Sequence, residues 1–578
     1  MENNTLLITN ESSMAWVDWI PTGTMLAMSA GIGIYCRITG DGQKTEEEYF
    51  FASRSVKVMT LSYSIAIAFI STITMFTASG ENYSFGTIFN ALQLGAVFGT
   101  PIVLYFYLPV FYELKMLSVY EYLERRFGRN TRLVASTSSF LILNFYMGVA
   151  MCAPALVLQD IIGLNDTTII LLIGLVCTFY STIGGIKAVI LTEALQGSFI
   201  LICALSVIGV ALYNIDDNIS NIFNTIQKGG RFSSNFQFDP TIQYTWWSLI
   251  IGGTFYFLSS FACGQIGIQR LLTAKSIFDA RKALWIHLPI TISTLSTFGL
   301  AGLVLYTYYI HCDPVTSGKI SSYDMIMPYF VRDRMINIPG VTGLFVVGVF
   351  SASLGSISAM LNSLTAIALA DYIKPLYRSF GHELSEDKSI FYARITNVLL
   401  GFVNLSIAFL AAKFNSLVQI IVAINGVIGG PLLGVFTLGM FSESANEAGA
   451  LAGIIIGIFS NLFWVFSPKP STSALPMAND GCFNDTNLNQ NSFNGTDDSS
   501  SYFYINRVSY LWISPLGMNT AMTFGTIVSF IVQKCSKTPP PILDANLFTP
   551  ILSKRIKRRR EKETNSSQLF VLETKSYD

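Results

Sequence analysis

Long apolar runs broken by short polar interruptions organise the whole chain. Thirteen of these runs reach membrane-spanning length: 17–35, 56–78, 89–112, 133–161, 168–183, 189–213, 246–267, 284–310, 341–369, 390–412, 417–441, 448–466 and 508–532. Hydrocarbon offers backbone groups no water, and the runs are far too long for tilted barrel strands, so each is expected to be a helix. The expected fold class is an all-α membrane protein, and the runs are called spans one to thirteen below.

Composition excludes a soluble chain. Of 578 residues, 51% are hydrophobic and only 12% charged, with a mean hydropathy of +0.49, whereas a soluble domain carries about a quarter charged residues. The 36 basic and 36 acidic residues cancel, which removes any electrostatic reason to expect a nucleic-acid partner. The first apolar run follows an acidic, Asn-rich leader without a basic segment, so it reads as a retained helix and not a cleaved signal.

Charge placement sets the expected orientation. With the N-terminus outside, the inner segments hold twenty-eight lysines and arginines against eight in the outer ones, and eighteen against eight without the tail. Glycosylation triplets at Asn3, Asn10, Asn82, Asn165, Asn218, Asn484 and Asn494 then fall outside, although another, at Asn565, falls in the tail. Asn484 and Asn494 lie in the polar loop 467–504 and are the expected glycosylation sites. Of eight cysteines only Cys312 and Cys482 sit in exterior loops, so an oxidising exterior predicts a disulfide between them. The tail carries the run Lys554-Arg555-Ile556-Lys557-Arg558-Arg559-Arg560, read first as solvated charge, with anionic inner-leaflet lipid as the alternative.

No P-loop, H-E-x-x-H or C-x-x-C motif occurs, and the three histidines lie on separate segments. Transport driven by an ion gradient is therefore expected in place of catalysis. Ionisable groups at membrane depth mark candidate sites. Glu193 opens span six six residues after Lys187 and reads either as the partner of Lys187 or a loop arginine, or as functional. Asp371 ends span nine, where an interfacial cap is expected. The run Asn425 to Gly434 in span eleven holds four glycines and a proline, which suits either unwound, cation-coordinating backbone or tight helix packing. Span nine offers the neutral oxygens of Ser353, Ser356, Asn362 and Ser363. Such oxygens suit a hard cation, or else bond their own helix.

Residues Gly184 to Gln196 resemble the G-G-x-K-A-V-x-x-T-E/D-x-x-Q signature of sodium/solute symporters. Gly429 to Gly434 resembles a second motif of that family, and further matches run through Leu108 to Tyr112, Tyr120 to Phe127, Gln269-Arg270 and Ala370 to Pro375. Cys177 to Ile190 resembles the pattern of the animal sodium-coupled monocarboxylate transporters, much of which the multivitamin and iodide transporters share. The resemblance implies a LeuT-type fold of two inverted five-helix repeats, at 56–213 and 246–441, with one helix before and two peripheral helices after. Broken helices are expected at the start of each repeat. Span seven carries Gly252, Gly253, Gly264 and Gly267, but span two has neither glycine nor proline.

Carried over by position, the resemblance implies a sodium site built from the carbonyls of Ile67 and Ile70 in span two with Ala352, Gly355 and Ser356 in span nine. Gly355 departs from the pattern, since relatives usually present a hydroxyl there, and weaker sodium binding is the expectation. Glu193 matches an acidic position on the intracellular cation path. Thr74, Ser259, Ser260 and Gln265 are the expected substrate contacts. The implied function is sodium-coupled import of a small organic anion such as lactate, pyruvate or nicotinate, across the plasma membrane. Carriers of vitamins, iodide, sugar or inositol, and a transport-deficient sensor or leak channel, are the alternatives.

Overall fold

A computed structural model describes residues 14–39, 43–215, 217–232, 234–412, 417–470, 474–477, 480–482, 502–535 and 543–575, without the side chains of 417–425 and 563–575. The glycosylation candidates Asn484 and Asn494 lie outside the described residues. Helices dominate, and the described residues contain only one isolated bridge, between Val56 and Ala274.

Among the described residues, eight helical stretches are long and apolar enough to cross a bilayer, or nine with the bent pair of span seven taken as one. Two of the eight, at 43 and 49 residues, are each long enough at ~1.5 Å per residue to hold two of the expected spans. Thr72–Leu114 is interrupted by the turn Gly86–Ala91, which separates the second half of span two from span three. Asp166–Asn214 is kinked at Gly185 (φ 56°, ψ −158°) between spans five and six. A Cβ at Gly185 would stand 2.7 Å from the Tyr49 carbonyl oxygen, so this signature glycine is required by the kink. Helices Trp19–Ile38 and Leu417–Phe441 lie at the positions expected for spans one and eleven.

Span two breaks despite its composition. Helix Val58–Ala68 stops, the Ile70 amide donates to the Ile67 carbonyl at 3.0 Å, and Thr72–Phe85 starts afresh. Ser71 caps the new helix by accepting from the Thr74 amide at 3.2 Å, which replaces the glycine or proline expected at such a break. Span seven breaks where its glycines lie: Trp246–Phe261 and Gln265–Leu271 meet at 64°. A Cβ on Gly264 or Gly267 would come within 2.6 Å of the Ser260 carbonyl, so both permit the close return of the backbone. Thr245 and Ser248 form a reciprocal capping box at the start of this span.

Span nine (Val341–Ile367) is the axis of the molecule. Its most apolar window is 94% buried inside the protein, against 22% for the last span, so its serines face protein and not lipid. Asp18 fixes its start by accepting from the Gly340 and Gly343 amides at 2.6 and 2.9 Å. In span eleven the glycine run stays helical, and Gly430 and Gly434 sit against the carbonyls of Ser514 and Met518 in the last span. Tight packing, not unwinding, is their role. Outside the helical bundle, Cys312 and Cys482 form a disulfide with Cα atoms 5.0 Å apart.

Candidate functional site

The two breaks face one cavity of about 150 Å³. Its wall includes Ser71 from the break in span two, Tyr256, Ser259 and Ser260 from span seven, Tyr146 from span four and Ser356 from span nine. No Asp, Glu, Lys, Arg or His lines it among the described residues. The polar groups are mainly hydroxyls, with the Gln265 carboxamide, the Cys263 thiol and the N-terminal end of Thr72–Phe85, whose cap Ser71 forms part of the wall. Helix N-termini carry partial positive charge and unpaired amides.

The expected substrate residues divide. Ser259 and Ser260 line the cavity, their hydroxyls donating back to the Tyr256 carbonyl at 2.8 and 3.1 Å. Gln265 reaches the wall, but its carboxamide is spent holding the loop before Tyr120: Oε1 accepts from the Val119 amide and Nε2 donates to the Leu117 carbonyl, both at 2.8 Å. Thr74 does not line the cavity. Its hydroxyl stands 3.0 Å from Ser71 Oγ inside the cap, so Ser71 occupies the wall instead. Ser71, Tyr146 and Tyr256 were not expected, although the pattern Ser-x-x-Thr within an apolar run is a legible cap signal.

The groups implied for sodium come from spans two and nine. Ile67, Ile70, Ala352 and Ser356 are all buried. Ser356 Oγ donates to its own helix, to the carbonyls of Ala352 at 3.0 Å and Ser353 at 3.1 Å, which leaves its lone pairs for an outside partner. The second half of span two is tied to span nine by Thr72 Oγ1 donating to the Val349 carbonyl at 3.2 Å. A Cβ at Gly355 would lie 3.2 Å from Ile67 Cγ2 and 3.3 Å from Gln196 Oε1. Gln196 Oε1 is buried and has no hydrogen-bond donor among the described residues. The space of the missing hydroxyl is therefore bordered by a neutral carboxamide oxygen.

Glu193 is fully buried and its partner is Arg270, not Lys187. Arg270 donates to Glu193 Oε1 at 2.6 Å, Ser64 Oγ donates to Oε2, and Arg270 Nε lies 3.3 Å from Ser64 Oγ. Arg270 belongs to the helical second half of span seven and not to a loop. The triad thus joins the first half of span two, span six and the second half of span seven. Asp371 corrects another expectation. It is not an interfacial cap: it is 1% exposed, it accepts from Arg132 Nε and Ser118 Oγ, each at 2.8 Å, and Arg132 also pairs with Glu124.

The chain matches the family model described as "Sodium:solute symporter family" over residues 49–457. A putative sodium-dependent multivitamin transporter of Drosophila melanogaster is 39% identical over 564 residues, covering 94% of this chain and 93% of that protein. Sodium-coupled monocarboxylate transporter 1 of Mus musculus is 35% identical over 543 residues, covering 90% and 87%. Among solved structures, a Na+-coupled sialic acid symporter in a substrate-bound outward-open state superposes with a TM-score of 0.75 at 24% identity, covering 92% of this chain and 99% of that one. That likeness supports the fold.

Proposed function

The chain belongs to the sodium:solute symporter family, and we propose that it carries a small organic monocarboxylate, such as lactate, pyruvate or nicotinate, inward across the plasma membrane with sodium. Sodium is the coupling ion. The observation that carries the substrate reading is the cavity itself: about 150 Å³, an apolar wall set with hydroxyls, headed by the start of Thr72–Phe85 and without an Asp, Glu, Lys, Arg or His among its described lining residues. A carboxylate there is met by the positive end of a half-helix and by hydroxyls that can turn toward it from the carbonyls they now bond, at no cost of a buried countercharge. The cavity's size favours a short acid.

Sodium would sit between the carbonyls of Ile67, Ile70 and Ala352 and the Ser356 hydroxyl. These are neutral oxygens that replace water around a hard cation. In this reading the Gln196 carboxamide supplies the oxygen that Gly355 lacks. Sodium bridging spans two and nine favours one arrangement of the repeats over the other, and coupling is that difference in affinity. The N-terminus is placed outside and the tail inside by the lysine and arginine asymmetry. A second reading, transport of a carboxylate vitamin such as biotin or pantothenate, is favoured by the 39% identity to the multivitamin transporter.

Two measurements test these statements. Replacing external sodium with choline is expected to cut uptake at least about tenfold, and a panel of lactate, pyruvate, nicotinate, biotin, iodide and glucose should show competition by the short carboxylates. Competition by biotin alone would move the substrate to the second reading, and substrate-evoked current without accumulated label would point to a channel. Separately, Ser356→Ala is expected to raise the sodium concentration for half-maximal uptake about tenfold, the size of one lost contact to a charged group of about 1.5 kcal/mol. An unchanged sodium dependence would remove Ser356 from the site.

A further inference from the structure

The basic tail is a docked helix with two different faces. Helix Pro550–Lys575 begins fifteen residues after Cys535, the end of the last span. The segment before it is anchored: Leu547 and Phe548 are buried, Tyr122 donates to the Leu547 carbonyl at 3.1 Å, and the Arg126 guanidinium lies 5.1 Å from the centre of the Phe548 ring. The Thr549 amide donates to the Met440 carbonyl at 3.1 Å. Within the helix, Ile556 is 2% exposed and Arg559 pairs with Glu443 at 2.5 Å. That face therefore sits on the turn between spans eleven and twelve, at the end of membrane-crossing helices.

Ile551, Lys554, Arg555, Arg558 and Lys562 recur at intervals of three and four residues, so they share one face of the helix, and all five are exposed. That stripe holds four cations, with the exposed Glu561 at its edge, and begins with an isoleucine that is 70% exposed. The anchored residues Leu552, Ile556 and Arg559 lie on a different face, so docking leaves the stripe outward. A flexible basic tail would average its charge over solvent, whereas this one holds four cations in register on a helix docked at the turn between spans eleven and twelve.

We propose that this stripe is a binding surface for the phosphate groups of anionic lipid, with Ile551 entering the interface beside it. Basic clusters immediately next to a final span are attracted to an anionic leaflet, each lysine or arginine adding to the binding, and an exposed apolar residue on the same face adds insertion. The surface takes phosphate monoanions or diesters carried on a membrane, and it would hold the tail helix and the turn beneath it against the bilayer.

The test is amide hydrogen exchange on the full-length protein in nanodiscs, an assay that does not depend on transport or on which face is cytoplasmic. Exchange across 551–562 is expected to slow at least about tenfold when phosphatidylcholine discs are replaced by discs containing about one-fifth phosphatidylserine. The protection should fall away in about 0.5 M salt, where the Debye length is short. The combined variant Lys554→Gln, Arg555→Gln, Arg558→Gln and Lys562→Gln should lose the protection while retaining that of Leu547 and Phe548, which shows the dock intact. Equal exchange in the two lipids, or protection that survives in the variant, overturns the proposal. Inorganic phosphate added to phosphatidylcholine discs should give no protection; slowing equal to that with phosphatidylserine would mean that the stripe binds a soluble anion and would also overturn it.

Discussion

Arg270→Ala is expected to abolish uptake and to lower stability by about 3–5 kcal/mol, because it leaves the carboxylate of Glu193 buried without its countercharge. Both side chains are almost wholly enclosed, at 2% and 0% exposure, so solvent cannot take the place of the lost partner. The geometry also predicts how related variants behave. Arg270→Lys keeps the charge but loses the fork that reaches both Glu193 and Ser64, so intermediate stability and reduced uptake are expected. Removing both partners, Arg270→Ala with Glu193→Ala, should recover much of the stability lost in the single variant without recovering transport. Thermal unfolding and uptake measured on wild type, Arg270→Ala, Glu193→Ala and the double variant form a double-mutant cycle. The expected coupling is large because the triad links three helices, one half each of the two broken spans among them. Arg270→Ala protein that transports normally would falsify a role for the triad in transport.

Asp371→Ala is the second large effect. The carboxylate removed is buried and accepts from Arg132 and Ser118, so its loss leaves the Arg132 guanidinium in an enclosed site. The cost is expected near the low end of the range for a broken buried pair, about 3 kcal/mol, since Arg132 keeps Glu124 and the Ala370 carbonyl at 2.9 Å. Asp371→Asn should cost less, because the carboxamide oxygen can still accept from Ser118 or Arg132. Thermal unfolding in detergent orders the three proteins, and the ordering wild type, Asn, Ala is the expected outcome. Equal unfolding temperatures for wild type and Asp371→Ala would mean that the clamp contributes nothing and that Asp371 is an ordinary surface carboxylate.

The positions of the long apolar helices were legible because the bilayer imposes one requirement on all of them: about twenty consecutive apolar residues whose backbone groups bond within the segment. The extremes of Arg129–Ile162 and Glu447–Phe466 fall within four residues of the expected limits. The pairing of Cys312 with Cys482 was legible for a similar reason, since elimination by compartment left no other candidates. The break in span seven announced itself through Gly264 and Gly267. That in span two did not, because Ser71 performs with a side-chain cap what glycine does with backbone freedom, and a serine in an apolar run has several readings.

The sequence by itself determined which segments are long and apolar enough to cross a membrane, which residues carry charge there, and the family signatures that imply sodium coupling. It could do so because hydropathy, charge and motif spacing are properties of short stretches. Only the tertiary structure decided that Glu193 pairs with Arg270 seventy-seven positions away, that Asp371 is clamped by Arg132, that Ser71 and not Thr74 reaches the cavity, and that the tail turns four cations away from its dock. Each of these depends on which faces of separate helices meet. That choice comes from packing side chains of particular volume against one another, and no window along a single segment contains both partners.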